Sequence, residues 1–166
     1  TTRTYINLLL TILTIIPVIA HGEMIQTGSF AYEESKDLMT DAYTAAAVTE
    51  ATNNNDMFLA FRCKNKTREV FLSHQYMIGN HDQSQVMYRV DEAKASEYEH
   101  WYLSADKKGS FATRYKIGRF LRAVDQSEQV ILRVRDPHDG TTQTGVFETN
   151  GYSQVLKELN CFDIRQ

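Results

Sequence analysis

The chain is short of the residues that announce most chemistries. In 166 residues it has eight glycines, two prolines, two cysteines and one tryptophan. The glycines are isolated, and no Gly-Lys-Ser/Thr follows any of them, so a phosphate-cradling loop is missing. No Gly-x-Ser-x-Gly is present, which removes the nucleophile elbow. Ser104 and Asp106 stand two apart, with no histidine assignable to them as a triad. His74, His81, His100 and His138 are scattered and make neither HxxH nor HExxH, which argues against zinc or iron. "DPHDG", Asp136 to Gly140, lacks the alternating acids and closing glutamate of a calcium loop. Carboxylate pairs such as Glu97 and Glu99 are ordinary on exposed connections. These absences lead to the expectation of a non-enzyme with no metal and no cofactor.

An excess of basic charge is missing as well. Residues 1–22 hold one of the 18 basic residues and none of the 21 acids, so the remainder carries a net charge of −4. Nucleic-acid affinity comes mostly from basic charge, so no nucleic-acid partner is expected. A cationic or protein partner is compatible with the acidic balance.

What is present begins with one apolar run. After Thr1-Thr2-Arg3, "YINLLLTILTIIPVIA" is almost wholly apolar and ends in small residues, with plausible cleavage after Ala20 or Gly22. That layout predicts a secretory signal peptide over 1–22. The run falls short of the roughly 20 apolar residues of a membrane span. The alternative is an uncleaved N-terminal anchor, which alone would bring the membrane in as a partner. No cysteine follows the run to accept a lipid. The expected location is the periplasm.

In an exported chain the even count of Cys63 and Cys161 suggests a disulfide; two buried thiols are the alternative. Such a bond would tie a mid-chain strand to the C-terminal helix. Closing a loop of about 100 residues contributes about 4.7 kcal/mol in the chain-entropy account.

Residues 23–56 form a poorly defined N-terminal segment. "FAYEESKDLMTDAYTAAAVTEAT" reads as a helix, or as two weak strands around an "ESKDLMTD" turn. Residues 57–166 read as a β-rich domain. "MFLAFRC" alternates, with Met57, Leu59, Phe61 and Cys63 on one face, and "REVFLSH" returns after a "KNKT" turn as a hairpin. "QVMYRVD", "HWYLSA", Ser110-Phe111, "QVILRVRD" and "TTQTGVFET" add strands, with "DPHDG" as the turn between the last two. Ile117, Phe120, Leu121 and Val124 make one helical stripe, and Tyr152, Val155, Leu156 and Leu159 make another. The expected fold is therefore mainly β: a β-sandwich-like domain of about seven short strands with two short helices.

The polar residues of these strands have scaffold explanations. Arg62 and Arg89 sit in alternating strands, on a wet face or paired with an acid across the sheet. Asp91 and Asp106 stand at strand ends, where aspartate accepts turn N–H bonds. Trp101 has the bulk to anchor a core, although the sequence leaves open whether it faces the core or a partner.

Taken in order, "FRCKNKTREVFL", "VMYRVD", "HWYLSADKKGSF", a helix, "ILRV", "GVFETNGYSQVLKEL" and a final cysteine resemble one family. It is the VasI/TagO-like group of exported accessory proteins, associated with type VI secretion and met in phage and prophage genomes. The similar positions are Arg62-Cys63, Tyr88-Arg89-Val90-Asp91, Trp101 with Ser104 and Asp106, Phe147 with Gly151, and Cys161. The resemblance covers about Met57 to Cys161. It implies an envelope accessory or adaptor protein that binds an envelope or secretion-system protein, and it carries no catalytic set. In this family reading Arg62, Tyr88, Arg89, Asp91, Trp101, Ser104 and Asp106 are fold-signature or binding residues. The segment before Met57 lacks the family's Trp-rich opening. The second functional expectation is a periplasmic inhibitor or immunity protein, phage- or bacterium-encoded, that blocks a cell-wall enzyme.

Overall fold

A computed structural model describes residues 24–77 and 81–162. The leader expected over 1–22, with its cleavage point, lies outside the described residues, as does part of the loop before Ser84. The elements are β1 Ile25–Thr27, β2 Phe30–Lys36, β3 Tyr43–Ala51, β4 Asn54–Lys64, β5 Thr67–Ser73, β6 Gln83–Val90, β7 Glu99–Leu103, β8 Gly109–Phe111, α1 Arg114–Val124, β9 Gln129–Arg135, β10 Thr142–Glu148 and α2 Tyr152–Glu158.

The strands form a single antiparallel sheet in the order β1-β2-β3-β4-β5-β8-β7-β6-β9-β10. This corrects the expected layout in two ways. There are ten strands among the described residues rather than about seven, and β5 pairs with β8, so hydrogen bonding runs unbroken instead of dividing into two sheets. The sheet also curls back on itself. Thr52 donates its N–H to the Val146 carbonyl at 2.8 Å. The Asn53 side chain accepts from the Val146 N–H at 2.8 Å and donates to the Thr144 carbonyl at 3.1 Å. The turn between β3 and β4 thus occupies the free edge of β10, which would otherwise invite another strand.

The additional strands come from the N-terminal segment, where the two-strand alternative is the one observed. β3, "YTAAAVTEA", pairs on both sides, and it buries Ala45, Ala47 and Ala51 on its inner face. Alanine favours helices in isolation, but pairing with β2 and β4 overrides that preference.

The inner face follows the alternation expected from sequence. Met57, Leu59, Phe61 and Cys63 of β4, Val70 and Leu72 of β5, and Val130, Leu132 and Val134 of β9 are all buried. Both helices lie against this face. Ile117, Phe120, Leu121 and Val124 bury the stripe of α1; Tyr152, Val155 and Leu156 bury that of α2, and Leu159 follows just past its end. Phe61 is the meeting point, with ring centroids of Phe30, Phe120, Tyr152 and Phe162 within 6.4 Å. The Tyr152 hydroxyl donates to the Leu121 carbonyl at 3.0 Å, joining the two helices.

Two fixtures hold the C-terminal end. Cys63 and Cys161 form a disulfide with Cα atoms 5.9 Å apart, tying β4 to the chain beyond α2. Gly28 and Gly151 sit at φ 57° and 89°, where the β1–β2 turn crosses the entry to α2. A Cβ on Gly151 would come within 2.3 Å of the Thr27 carbonyl oxygen, so only glycine allows the two backbones to touch there.

Candidate functional site

The sequence-expected residues do not converge. Trp101 is buried, edge-on to Phe120 at 6.1 Å, so it belongs to the core rather than to an exposed face. Tyr88 is half-buried and meets the same ring at 5.1 Å. Asp91, at φ 45°, accepts the backbone N–H groups of Glu128 and Gln129 at 3.0 Å each and so fixes the entry to β9. Arg89 pairs with Glu92 at 3.0 Å. Ser104 donates its hydroxyl to Asp106 at 2.5 Å, and the Lys108 N–H donates to the same oxygen at 3.1 Å. That serine hydroxyl first, then the backbone N–H, hold the exposed Asp106 carboxyl below the usual carboxylate range. The pair is the brace of a tight β7–β8 turn. Tyr88 and Asp91 line a shallow hollow with Ser96, and Arg62 touches Glu69 and Phe111, which line a separate groove. The Arg62 Nε and Nη2 both lie 2.6 Å from one oxygen of Glu69, its partner across β4 and β5, and its guanidinium sits 5.6 Å from the Phe111 ring centre.

A buried polar chain was not expected from the sequence. His74 Nε2 lies 2.8 Å from the Ser110 hydroxyl, which lies 2.7 Å from the Ser84 hydroxyl. His74 Nδ1 lies 2.7 Å from the Gln75 carbonyl oxygen. With Nδ1 protonated and donating to that carbonyl, Nε2 accepts from Ser110 and every group is satisfied by a neutral ring. A serine beside a histidine suggests nucleophilic catalysis, but Ser84 and Ser110 have no exposed surface and His74 only 3 %. No substrate reaches them, so the chain serves as packing.

Burial pushes the His74 imidazole below its ordinary value, outweighing the Gln75 carbonyl and the carboxylates of Asp106 and Asp136 that act the other way. Above the unfolded value of about 6.5 both states are neutral and this group adds no pH slope. Below it, the unfolded chain takes up a proton that the folded one refuses, so stability falls as pH drops from about 6.5 towards the lowered folded value. Urea midpoints measured across that window should fall for the native protein and fall less for His74→Gln. Parallel slopes would show that His74 is not buried as a neutral ring.

The surface with ligand-like chemistry lies where β8 ends and the chain turns into α1. A groove of about 1030 Å³ opens there beside β5 and the disulfide. Lys66 comes from the β4–β5 turn at φ 68°, Arg68 from β5 and Arg114 from the first position of α1. Among the described residues none of these three cations is ion-paired. Among the described residues Glu69 is the one acid lining the groove, and Arg62 already neutralises it. Tyr102 and Phe111 supply aromatic surface, and Cys161 forms part of the wall. The aromatic surface continues over the outer face of the sheet, with Phe111 at 4.7 Å from Phe71 and Phe71 at 5.9 Å from the part-exposed Phe58. The first turn of α1 has no acid and no side-chain cap, which leaves its positive end uncompensated.

An anionic group near Lys66, Arg68 and Arg114 would gain charge-assisted hydrogen bonds, and the rings would cover apolar surface beside it. Among the described residues no group of three or more His, Cys, Asp or Glu side chains is placed to hold a metal ion. The groove was missed in the sequence because its cations come from three elements. "KNKTR" carries part of the signal: Lys66 and Arg68 lie two apart, but the run reads first as a turn.

No family model, curated protein or solved structure matches this chain.

Proposed function

We propose that the chain is an exported, non-enzymatic accessory or adaptor protein that acts by binding another protein, with the basic, aromatic groove as its contact face. The observation that carries this reading is the groove itself: three cations with no ion pair among the described residues, beside the exposed Tyr102 and half-buried Phe111 rings, in a chain of net charge −3. Unpaired guanidinium groups and aromatic rings are the residues enriched where proteins bind tightly. The Cys63–Cys161 disulfide fits an oxidising compartment, in keeping with the leader expected over 1–22 and a soluble periplasmic location. Among the described residues no helix is long and apolar enough to cross a membrane. The resemblance to VasI/TagO-like accessory proteins supports the same class, with an envelope or secretion-system protein as partner.

The test is comparative capture from envelope extract. The native protein and an Arg68→Glu, Arg114→Glu variant are immobilised side by side. A protein retained by the first and lost from the second, by roughly tenfold or more, is the expected result. Cell-wall hydrolysis by the purified protein alone would overturn the non-enzyme reading.

A second reading, an inhibitor or immunity protein that blocks a cell-wall enzyme, is favoured by the turn between β9 and β10. Its backbone is fixed by Asp136 N–H to Thr141 and Gly140 N–H to Asp136, both at 2.9 Å. Asp139 accepts from the Thr141 N–H at 2.8 Å, so the exposed loop is rigid enough to enter a cleft. On this reading the purified protein lowers the activity of an envelope hydrolase on isolated cell wall.

A further inference from the structure

The β2–β3 hairpin ends in a tip, residues 37–42, that shows two large apolar side chains to water. Leu38 is 88 % exposed and Met39 93 %. Burying them would normally stabilise the fold, at about 25 cal/mol per Å² of apolar surface; here the local structure holds them out. One oxygen of Asp37 accepts the N–H groups of Met39 and Thr40 at 2.9 and 2.8 Å, and the Thr40 hydroxyl at 2.9 Å. Asp37 N–H donates to Ala42, Asp41 N–H donates to Asp37, and Lys36 pairs with Asp41 at 2.7 Å. The tip is therefore preorganised, so seating it in a pocket costs little ordering entropy. Acids outnumber bases beside it: Asp37 and the Lys36-paired Asp41 in the tip, and Glu33 and Glu34 further back on β2, all exposed.

The groove carries the complementary chemistry, with Lys66, Arg68 and Arg114 around Tyr102 and Phe111. An apolar hairpin end with an excess of acids complements an aromatic groove lined by bases. The exposure of Leu38 and Met39 shows that the tip does not fill its own chain's groove. Yet the two features share one end of the sheet: the Asn65 N–H, next to Lys66, donates to the Tyr43 carbonyl at the foot of the hairpin. In a two-fold dimer built at that end, each tip would meet the other copy's groove, with the same patch on both subunits.

We propose that the protein self-associates through this contact, the Leu38-Met39 tip of one copy occupying the Lys66–Arg68–Arg114 groove of a second. The acid–base part of the contact is solvent-exposed, so added salt weakens it. The inference goes beyond the adaptor reading and does not rest on it, because it concerns the purified protein alone.

Sedimentation velocity of the purified, disulfide-bonded protein over a concentration series tests it. The native protein should move from monomer to dimer as concentration rises, and less so at high salt. Leu38→Ser with Met39→Ser, and separately Arg68→Glu with Arg114→Glu, should each raise the dissociation constant by roughly tenfold or more. All four positions are at the surface or half-buried, and matching thermal unfolding confirms that the variants are folded. Mixing the two variants should give a mixed dimer weaker than the native one, because one of its two contacts, the intact groove of the first variant with the intact tip of the second, is native and the other carries both defects. A native protein that stays monomeric up to its solubility limit overturns the proposal. So does a dimer that both double variants leave intact. Neither result touches capture of a different protein by the groove.

Discussion

The protein with Cys63→Ala and Cys161→Ala should lose about 4 kcal/mol of unfolding free energy. The two cysteines are 98 residues apart, and a cross-link over about 100 residues restricts the unfolded chain by about 4.7 kcal/mol in the entropic account, with 2–5 kcal/mol the usual range. Nothing else that is covalent holds the segment after α2. Among the described residues Leu159 and Phe162 are its buried anchors, with Phe162 against Phe61 at 6.2 Å. For a chain of this length 1 kcal/mol moves Tm by about 2–4 °C, so the variant should melt about 10 °C lower. Thermal unfolding of both proteins without reductant measures the difference. A shift under about 2 °C would mean that the bond staples an end already held by packing. Since Cys161 also walls the groove, the variant should bind more weakly wherever the groove is the contact face.

The parts of the fold legible in the sequence are those where burial alternates against a wet or half-wet face. β4, β5 and β9 read cleanly because Met57, Leu59, Phe61 and Cys63, then Val70 and Leu72, then Val130, Leu132 and Val134 fall at every second position. α1 and α2 read cleanly because their apolar residues fall at every third or fourth. β3 did not, since three of its inner positions are alanine and the outer ones include Ala46 and Val48; with little contrast between its faces, periodicity says nothing. The continuity of the sheet was hidden for a different reason. The β5–β8 pairing involves three residues of each strand, far apart in sequence, and no local pattern specifies it.

The candidate site was less legible than the fold. The arginine, aspartates and tryptophan of the β6 and β7 strands and their ends have local partners. Asp91 and Asp106 bind backbone N–H groups, and Trp101 packs on Phe120. A side chain that completes a turn and one that awaits a ligand have the same identity; only the partner list separates them. Arg68 and Arg114 looked unremarkable because they become a pair only when β5 meets the start of α1. The Leu38-Met39 tip left a plainer trace. Two apolar residues inside "SKDLMTD", where the rest of the turn is polar, have no core to join.

Phe120→Ala should cost about 3–5 kcal/mol, the usual range for deleting a fully buried phenylalanine ring. Phe120 is 2 % exposed and its ring stacks on Phe61 at 6.4 Å while taking the edges of Tyr88 at 5.1 Å and Trp101 at 6.1 Å. Removing it leaves three aromatic rings facing a void that none of them fills without leaving its own strand. Tyr115, five residues earlier on α1 and 96 % exposed, provides the control: Tyr115→Ala should stay within about 0.5 kcal/mol. Denaturant melts of the two variants decide between a docked helix and a loose one, since equal small effects would mean that α1 does not seat on the sheet. The result also reaches the groove. α1 places Arg114 and Ile117 there, and Phe120 is the ring that fixes α1 against β4, β6 and β7. A helix that shifts to fill the void carries Arg114 away from Arg68, so Phe120→Ala should weaken groove binding while every groove residue is still present.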